Sequence, residues 1–265
     1  MKIHAPDFNL EATLESGQVF GFRKDFDNIF HGFLQKQPVR ISQNQTQLCV
    51  QAENVSEATV KNYFDLDRDL SQLYQVFASD EKLTPFCLRL KGLRLIRQDS
   101  WEALACFIIS SNNNVKRIQG IWKNMAEYFA GFPTAAQIAK SHERTLRSLG
   151  LGYRAPFLLR TATFLSNAPD YLETIRNLDY EEARARVISF PGIGPKVADC
   201  VLLYGFHKIE AFPVDVWIAR VMRKLYFKNR KVSEKRVQAF GQKRWGAHAG
   251  YVQQYLFHGA RMGIL

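Results

Sequence analysis

Residues 190–217, FPGIGPKVADCVLLYGFHKIEAFPVDVW, carry the strongest structural signal in the sequence. The preceding stretch, EEARARVISF (residues 181–190), is amphipathic and predicts a helix. PGIG (residues 191–194) ends that helix, because a proline cannot continue it and the glycines allow backbone angles that other residues avoid. Pro195 then suits the first position of a second helix. The segment therefore predicts a helix, a tight glycine-rich hairpin and another helix.

A hairpin of this kind directs unpaired backbone amides at an anion, typically a phosphate. Gly192, Gly194 and Val197 are the candidate phosphate-binding residues. Lys196 stands in the first turn of the second helix, where the helix dipole disfavours a cation. Most lysines are solvated surface charges, but an amine held in its neutral form is a nucleophile that can form a Schiff base. The hairpin alone leaves both interpretations of Lys196 open.

The composition is that of a globular protein with a polyanionic partner. Of the 265 residues, 46% are apolar and 23% charged, and the formal net charge is +11. Residues 191–265 contain 13 Lys or Arg against 4 Asp or Glu, so this region holds +9 of the total. A basic region that also bears aromatic residues favours nucleic acid over an anionic membrane.

Cysteine spacing and hydropathy indicate the compartment. Cys49, Cys87, Cys106 and Cys200 are widely scattered, which matches neither a disulfide framework nor a zinc or iron–sulfur site. The sequence shows no apolar run before a cleavage site and nothing that reaches the length of a membrane span. We therefore expect reduced thiols and a soluble cytoplasmic protein.

Hydrophobic periodicity divides the chain into a strand region and a helical region. From His4 to about Cys49, alternating residues such as Ile29, His31 and Phe33 predict an antiparallel meander. After Val55 the period becomes helical and stays so, with N-caps expected at Asp99 or Ser100 and at Ser233. The predicted fold is α+β, with a small N-terminal antiparallel sheet domain (1–80) packed on a large helical domain (81–265).

Two loops between the predicted helices carry polar residues that allow more than one interpretation. SSNNN (residues 110–114) suits a helix cap and turn, but its side chains could also enter a duplex and pair with bases. LGLGYR (residues 149–154) is a second glycine-rich break, on which we expect Tyr153 and Arg154 to be exposed. Tyr153 could equally cover the core.

Asp215 follows Lys196 by nineteen residues and suits the N-cap of the next helix. Together the hairpin, Lys196 and PVDV (residues 213–216) resemble the helix–hairpin–helix base-excision DNA glycosylase superfamily. Within it, the chain is most similar to the 8-oxoguanine DNA glycosylases. Six blocks match that family in order along nearly the whole chain: SGQVF (16–20), SSNNNVKRI (110–118), LGLGYRA (149–155), FPGIGPKVADC (190–200), PVDVW (213–217) and AGYVQQYLF (249–257).

The resemblance implies a fold in which the N-terminal sheet is layered on helices and the flipped base enters a cleft between two helical bundles. It implies that Lys196 attacks the anomeric carbon and forms a Schiff base, and that Asp215 stabilises positive charge on the sugar. The imine would then acidify the adjacent sugar proton, so that β-elimination cuts the strand.

The resemblance also assigns a base pocket and a wedge. The carbonyl of Gly17 would accept the proton that one ring nitrogen carries only in the oxidised base. Gln253 would contact the pairing edge of the base, while Cys200 and Phe257 would sandwich its ring; otherwise these three are an ordinary helix face and core residues. Asn112 would fill the vacated stack beside Tyr153, and both Arg117 and Arg154 would pair with the orphaned cytosine, although Arg117 could be a plain surface charge.

Two positions depart from the better-known eukaryotic members. Trp217 stands where they have a histidine near the phosphate of the lesion, and Pro195 replaces a small hydroxyl residue. The compact length fits a bacterial-type member. We expect a monomer that acts on double-stranded DNA containing oxidised guanine, without cofactor or catalytic metal, although a structural cation could lie under the hairpin carbonyls.

Two other hypotheses remain at this stage. The first is a glycosylase for another damaged base on the same scaffold, against which stand Lys196 and the absence of a C-terminal four-cysteine cluster. The second is a non-catalytic module that uses the hairpin only to bind phosphates.

Overall fold

Strands and helices occupy separate parts of the chain in this computed structural model, which describes residues 1–264. The strands are β1 (Lys2–His4), β2 (Arg23–Lys24), β3 (Phe30–Leu34), β4 (Gln37–Asn44) and β5 (Gln47–Gln51). The helices are α1 (Leu10–Leu14), α2 (Glu57–Tyr63), α3 (Ser71–Ala78), α4 (Thr84–Leu90), α5 (Ser100–Ser110), α6 (Val115–Phe129), α7 (Ala135–Ala139), α8 (Glu143–Leu146), α9 (Ala155–Asn167), α10 (Tyr171–Asn177), α11 (Tyr180–Ile188), α12 (Pro195–Gly205), α13 (Val216–Tyr226), α14 (Glu234–Trp245) and α15 (Ala249–Arg261). The predicted α+β class is confirmed.

The strands form an antiparallel sheet in the order β1-β5-β4-β3-β2. Leu48 and Val50 of β5 are buried, which is the alternation of a strand with one face on the core. In β3 the buried positions are Phe30, Gly32 and Leu34, one residue out of phase with the alternation Ile29, His31, Phe33. Gly32 explains the difference, because a Cβ there would lie 2.4 Å from the ring of Phe22, so this core position carries no hydrophobic side chain.

The chain folds as two compact units that do not follow the predicted division at residues 80 and 81. Unit 1 comprises Met1–Arg97 and His207–Leu265, so it holds the sheet, α1 to α4 and α13 to α15. Unit 2 is Gln98–Phe206 and consists of α5 to α12. The sequence prediction divided the chain into two consecutive segments, whereas each unit is defined by tertiary packing and unit 1 combines both ends of the chain. Among residues 1–264, no helix combines the length and the apolar character needed to cross a membrane.

Asp65 joins distant segments of unit 1. Its buried carboxylate accepts hydrogen bonds from Arg68, Arg97 and the hydroxyl of Tyr251 on α15, and it pairs with His207. Burial raises the pKa of Asp65, but the hydrogen bonds from His207, Arg68 and Arg97 outweigh it and hold that pKa well below its usual value. The network ties the C-terminal helix to the N-terminal half of the same unit.

Helix ends follow local capping chemistry. Asp99 accepts from the Glu102 amide at the start of α5, and Ser233 accepts from the Arg236 amide at the start of α14, as predicted. Within unit 2, α5 is buried along most of its length and packs against α12. This contact places the second helix of the hairpin against the core of its unit.

Candidate active-site residues

The glycine-rich hairpin between α11 and α12 has the predicted form. Gly192 has φ +79°, and a Cβ on it would lie 2.5 Å from the ring of Phe157, so both conformation and space require glycine. Gly194 is the N-cap of α12 and offers no side chain to the first amides of that helix. Both glycines are exposed, while Val197 is buried. The hairpin therefore presents backbone amides, at the positive end of a helix, on a surface without obstructing side chains.

A buried ion pair holds the two helices of the hairpin together. Asp199 of α12 accepts hydrogen bonds of 2.7 Å from Tyr180 and from Nε of Arg184, both on α11. Asp199 is 2% exposed, so loss of the Arg184 guanidinium would remove the opposite charge that offsets the burial of this carboxylate. The pair fixes the geometry of the exposed turn.

Lys196 lies half-buried in the first turn of α12, with Nζ 6.0 Å from the centroid of the Phe107 ring. Cys200, four residues later, lies on the same face of the helix and is buried. Phe107 stacks in turn on Tyr204, with ring centroids 5.5 Å apart. The amine therefore lies beside the Phe107 ring of α5, a contact that the sequence motif did not reveal.

The SSNNN segment forms a tight turn with Asn112 at its exposed apex. Asn112 has φ +48°, a left-handed conformation that asparagine tolerates better than most residues. Asn114 caps α6 by accepting from the amide of Arg117, and the Arg117 side chain is exposed on the first turn of that helix. The turn thus satisfies the predicted capping role and also presents a short polar side chain to solvent.

Arg154 is buried, so the prediction that it is exposed is wrong, whereas Tyr153 is 48% exposed as predicted. The guanidinium of Arg154 donates to the carbonyls of Ser111 and Asn112, the latter at 2.9 Å, and stacks 4.4 Å from the Tyr153 ring centroid. The hydroxyl of Tyr153 also donates to the Ser111 carbonyl. These hydrogen bonds account for the burial of the guanidinium, and through them Arg154 and Tyr153 hold the backbone of the Asn112 turn in place.

In unit 1, Gly17 occupies a turn fixed by buried polar side chains. Gly17 has φ +83°, which favours glycine. Gln18 donates to the carbonyl of Arg94 at 2.8 Å and accepts from the amide of Ile96, so its side chain replaces missing backbone pairing. Gln254 on α15 donates to the Ser16 carbonyl at 3.1 Å. The Gly17 turn is therefore anchored on both sides, and Gln18 and Gln254 are anchors that motif matching did not single out.

Asp215 is the N-cap of α13, as predicted, with Oδ1 accepting from the Ile218 amide at 2.8 Å. Its negative charge lies at the positive end of the helix and is half exposed to solvent. Gln253 of α15 is 4% exposed, and its Nε2 donates to the carbonyl of Pro213, two residues before Asp215. Oε1 of Gln253 is buried with no hydrogen-bond partner in the described part of the chain. An unmatched buried acceptor of this kind is costly unless a ligand completes it.

Phe257 follows Gln253 by one helical turn and is half-buried. Arg261, another turn along α15, places its guanidinium 5.5 Å from the Phe257 ring centroid and within 3.4 Å of the Ser16 carbonyl. Burial lowers the pKa of Arg261, and the Asp215 carboxylate opposes that shift. Burial, and then the charge of Arg261, lower the pKa of His258 to about 4, so this neighbour is neutral at pH 7. The i+4 spacing from Phe257 could have identified Arg261.

The candidate residues form two groups, each assembled within its own unit. Helix α15 brings together four of them in unit 1: Gly17, Asp215, Gln253 and Phe257. Trp217, 39% exposed on α13, belongs to the same unit. Unit 2 contains the hairpin group (Gly192, Gly194, Lys196, Val197, Cys200) and the turn group (Asn112, Arg117, Tyr153, Arg154). No cluster of His, Cys, Asp or Glu side chains in residues 1–264 has the arrangement of a metal site.

Family models match two consecutive parts of the chain. Residues 1–104 match the 8-oxoguanine DNA glycosylase N-terminal domain. Residues 105–247 match the HhH-GPD superfamily of base excision DNA repair proteins. The two matches together span the sheet, the hairpin and the helix that Asp215 caps.

Similar proteins agree with these matches. The chain is 33% identical to a probable N-glycosylase/DNA lyase of Methanothermobacter thermautotrophicus, covering 100% of this chain and 97% of that protein. It is 32% identical to an N-glycosylase/DNA lyase of Saccharomyces cerevisiae over 74% of this chain and 64% of that protein. The crystal structure of Clostridium acetobutylicum 8-oxoguanine glycosylase/lyase, in complex with double-stranded DNA containing cytosine opposite 8-oxoguanine, superposes with a TM-score of 0.91. The identity is 29%, and the match covers 100% of this chain and 99% of that one.

Proposed function

The chain belongs to the 8-oxoguanine DNA glycosylase family of the HhH-GPD superfamily, and we propose that it excises 8-oxoguanine opposite cytosine and then cuts the strand. The similar proteins named above are N-glycosylase/DNA lyases or an 8-oxoguanine glycosylase/lyase. The base must first leave the duplex stack, since its glycosidic bond is inaccessible there. Asn112, exposed at the apex of a rigid turn, would fill the vacated space. Tyr153 and the exposed Arg117 would contact the orphaned cytosine, while Arg154 keeps the turn in position.

The position of Lys196 is the observation that most strongly supports the proposed chemistry. The half-buried amine lies in the first turn of α12, immediately after the glycine-rich hairpin, with Nζ 6.0 Å from the centroid of the Phe107 ring. In the proposed reaction its nitrogen forms a bond to the anomeric carbon as the bond from that carbon to the base breaks. The departing base takes the bonding electrons and gains a proton.

Asp215 would stabilise the transition state of that step electrostatically. Departure of the base leaves an oxocarbenium-like sugar, for which a fixed carboxylate is a favourable partner. Opening of the sugar then gives an imine between Lys196 and the anomeric carbon. Loss of the proton on the adjacent carbon expels the 3′ phosphate, and hydrolysis of the imine returns the free lysine. These steps are complete with the side chains named and water, so the proposal needs no cofactor.

Recognition of the base would use the group assembled on α15 and, in addition, Cys200 of α12. The unmatched Oε1 of Gln253 can accept a hydrogen bond from the pairing edge, while its Nε2 is held by the Pro213 carbonyl. Phe257 and Cys200 would cover the two faces of the ring. The Gly17 carbonyl would accept a hydrogen bond from the ring N–H that only the oxidised base carries, and a side chain at Gly17 would obstruct the approach of the base. We expect a monomer that works on chromosomal DNA in the cytoplasm.

A panel of lesion duplexes tests the substrate. We expect single-turnover excision of 8-oxoguanine opposite cytosine to exceed that opposite adenine, and to exceed excision of alkylated purines and oxidised pyrimidines. A preference for another lesion would replace the substrate assignment by a different glycosylase of the same scaffold.

Two matched substitutions test the chemistry of Asp215. Asparagine caps helices as well as aspartate does, so Asp215→Asn keeps the cap and removes the charge. We expect it to slow excision on the order of 100-fold or more. Asp179 caps α11 in the same way by accepting from the Glu182 amide, and Asp179→Asn is the control that should excise at the wild-type rate. Equal rates for Asp215→Asn and wild type would refute the role of the carboxylate.

A further inference from the structure

A cleft with five cationic side chains lies at the far end of α13 from Asp215. It has a volume of about 630 Å³ and is formed by the end of α13, the following turn and the outer face of α14. We call it the basic cleft and define it by Lys228, Arg230, Lys231, Arg236 and Lys243. The rings of Tyr226, Phe227 and Phe240 line the same cleft.

Charge in this region is concentrated and unbalanced. Residues 223–244 include nine Lys or Arg and one acidic residue, Glu234. None of the five cleft cations forms a salt bridge with a carboxylate in residues 1–264, whereas nearby Arg244 pairs with Asp80 at 2.8 Å. Like charges held this close repel one another, and a bound polyanion removes that cost.

The turn that carries these cations is fixed by hydrogen bonds and retains strained backbone. Lys228 has φ +49°, which costs a lysine on the order of 1 kcal/mol or more, while Asn229 has φ +58°, a conformation that asparagine tolerates better. The Asn229 amide donates to the Arg223 carbonyl at 2.9 Å, and the Arg223 guanidinium donates to the Val232 carbonyl at 2.9 Å. Glycine at position 228 would adopt this conformation without the steric cost, so Lys228 lowers the stability of the folded protein relative to glycine.

An exposed track along α13 links Asp215 with the basic cleft. Trp217, Arg220 and Lys224 recur at spacings of three and four residues and are all exposed, with the Arg220 guanidinium 5.4 Å from the Trp217 ring centroid. The 11 residues of α13 span about 16 Å. Since base pairs rise by about 3.4 Å, this length corresponds to about five base pairs of duplex DNA.

We propose that the basic cleft binds backbone phosphates of duplex DNA about five base pairs to one side of the flipped nucleotide, and supplies lesion-independent affinity. The inference rests on the proposed function for the location of the lesion. The unpaired cations match the charge of a polynucleotide backbone, and the track along α13 gives the duplex a path from the Asp215 end of the helix to the cleft. The cleft would hold the enzyme on undamaged DNA and orient it on damaged DNA.

Two lysine-to-glycine substitutions separate charge from conformation. Lys228→Gly removes one cleft cation and relieves a positive φ. Lys36, an exposed lysine with φ +65° in the β3–β4 turn, provides the matched control, because Lys36→Gly makes both changes away from the cleft. We expect both variants to unfold at or above the wild-type denaturant midpoint, which separates any loss of binding from misfolding.

Affinity for an undamaged duplex, measured by fluorescence anisotropy against salt concentration, gives the first result. One phosphate contact contributes about 0.9 to the slope of log affinity against log salt, so its loss weakens binding about eightfold at 0.1 M salt relative to 1 M. We expect that loss, and the lower slope, for Lys228→Gly and for Lys231→Ala, but not for Lys36→Gly. Wild-type affinity in both cleft variants would overturn the proposal, because it would show that the cleft does not bind duplex DNA.

Duplexes with 8-oxoguanine and arms of unequal length locate the contact. Shortening one particular arm from ten to three base pairs should weaken binding by the wild type and by Lys36→Gly, and should weaken binding by Lys228→Gly by a smaller factor, because that variant has already lost one of the cleft contacts. An equal loss for all three proteins, on either arm, would overturn the assignment to flanking DNA. Excision by the cleft variants at saturating protein should match wild type. If wild type does not excise the lesion, the proposed function fails, while the result with undamaged DNA still decides whether the cleft binds a duplex.

Discussion

Alanine should affect different properties at the two hairpin glycines: Gly192→Ala should lower stability, whereas Gly194→Ala should lower DNA affinity without lowering stability. Gly192→Ala places a Cβ at φ +79° and 2.5 Å from the Phe157 ring. The left-handed conformation costs an alanine about 1–2 kcal/mol, and relief of the clash about 1–3 kcal/mol more. We therefore expect a loss of roughly 2–5 kcal/mol in the free energy of unfolding.

Gly194→Ala is the matched test of the exposed surface of the hairpin. Gly194 has φ −94°, and its Cβ would meet nothing within 4 Å, so the folded protein should tolerate alanine with little change in stability. If the amides at the start of α12 approach a phosphate, the added methyl group instead obstructs that approach and weakens DNA binding.

Denaturant unfolding and fluorescence anisotropy with an abasic-site duplex check the pair. The expected result is an unstable Gly192→Ala variant and a stable Gly194→Ala variant with lower DNA affinity. A Gly192→Ala protein as stable as wild type would refute the packing argument. A stable Gly194→Ala protein with unchanged affinity would refute the use of the hairpin as a phosphate site.

Four further substitutions test buried charges and the side chains that position the Asn112 turn. Burial raises the pKa of Glu102 to about 7, so the stability contributed by its neutral form is fully present below about pH 4.5 and is lost as the pH rises through 7. Glu102→Gln removes the charge and can still accept the hydrogen bond from Trp122. Its free energy of unfolding should exceed that of the wild type by roughly 1–3 kcal/mol at pH 8 and differ little from it at pH 4.5. Asp65→Asn should lose about 3 kcal/mol in denaturant unfolding, because the buried side chain would lose the charge that its hydrogen bonds from Arg68 and Arg97 compensate. Arg154→Met and Asn112→Ala should each slow single-turnover excision on the order of 10- to 100-fold, and the double variant should be no slower than the slower single variant, since both act through one turn.

The sequence predicted the features that depend on local chemistry. Asp99, Ser233 and Asp215 cap the helices that they were expected to cap, because a capping side chain and the amide it accepts from lie within three residues. The hairpin followed from the backbone preferences of its prolines and glycines. The strand region followed from its alternation, although the phase of β3 was hidden by the glycine at its buried centre.

Features that depend on long-range packing could not be predicted in this way. The burial of Arg154 arises from carbonyls more than forty residues earlier in the chain, which no local pattern reveals. Asp65 gathers partners from residues 68 to 251, and α15 packs in the same unit as the N-terminal sheet. Family motifs identified the candidate residues, but only the structure revealed the side chains that position them, such as Phe107, Gln18 and Arg261.

Trapping of the covalent intermediate tests the central claim most directly. Borohydride reduces an imine to a stable amine, so incubation with an 8-oxoguanine·cytosine duplex should link wild-type protein to DNA, and peptide mapping should place the link on Lys196. Lys196→Gln should give no adduct, whereas Lys140→Gln, which removes an exposed lysine from the same unit, should give as much as wild type. An adduct that persists in folded Lys196→Gln, or excision of the lesion by the wild type without any adduct, would contradict the assignment of Lys196 as the nucleophile.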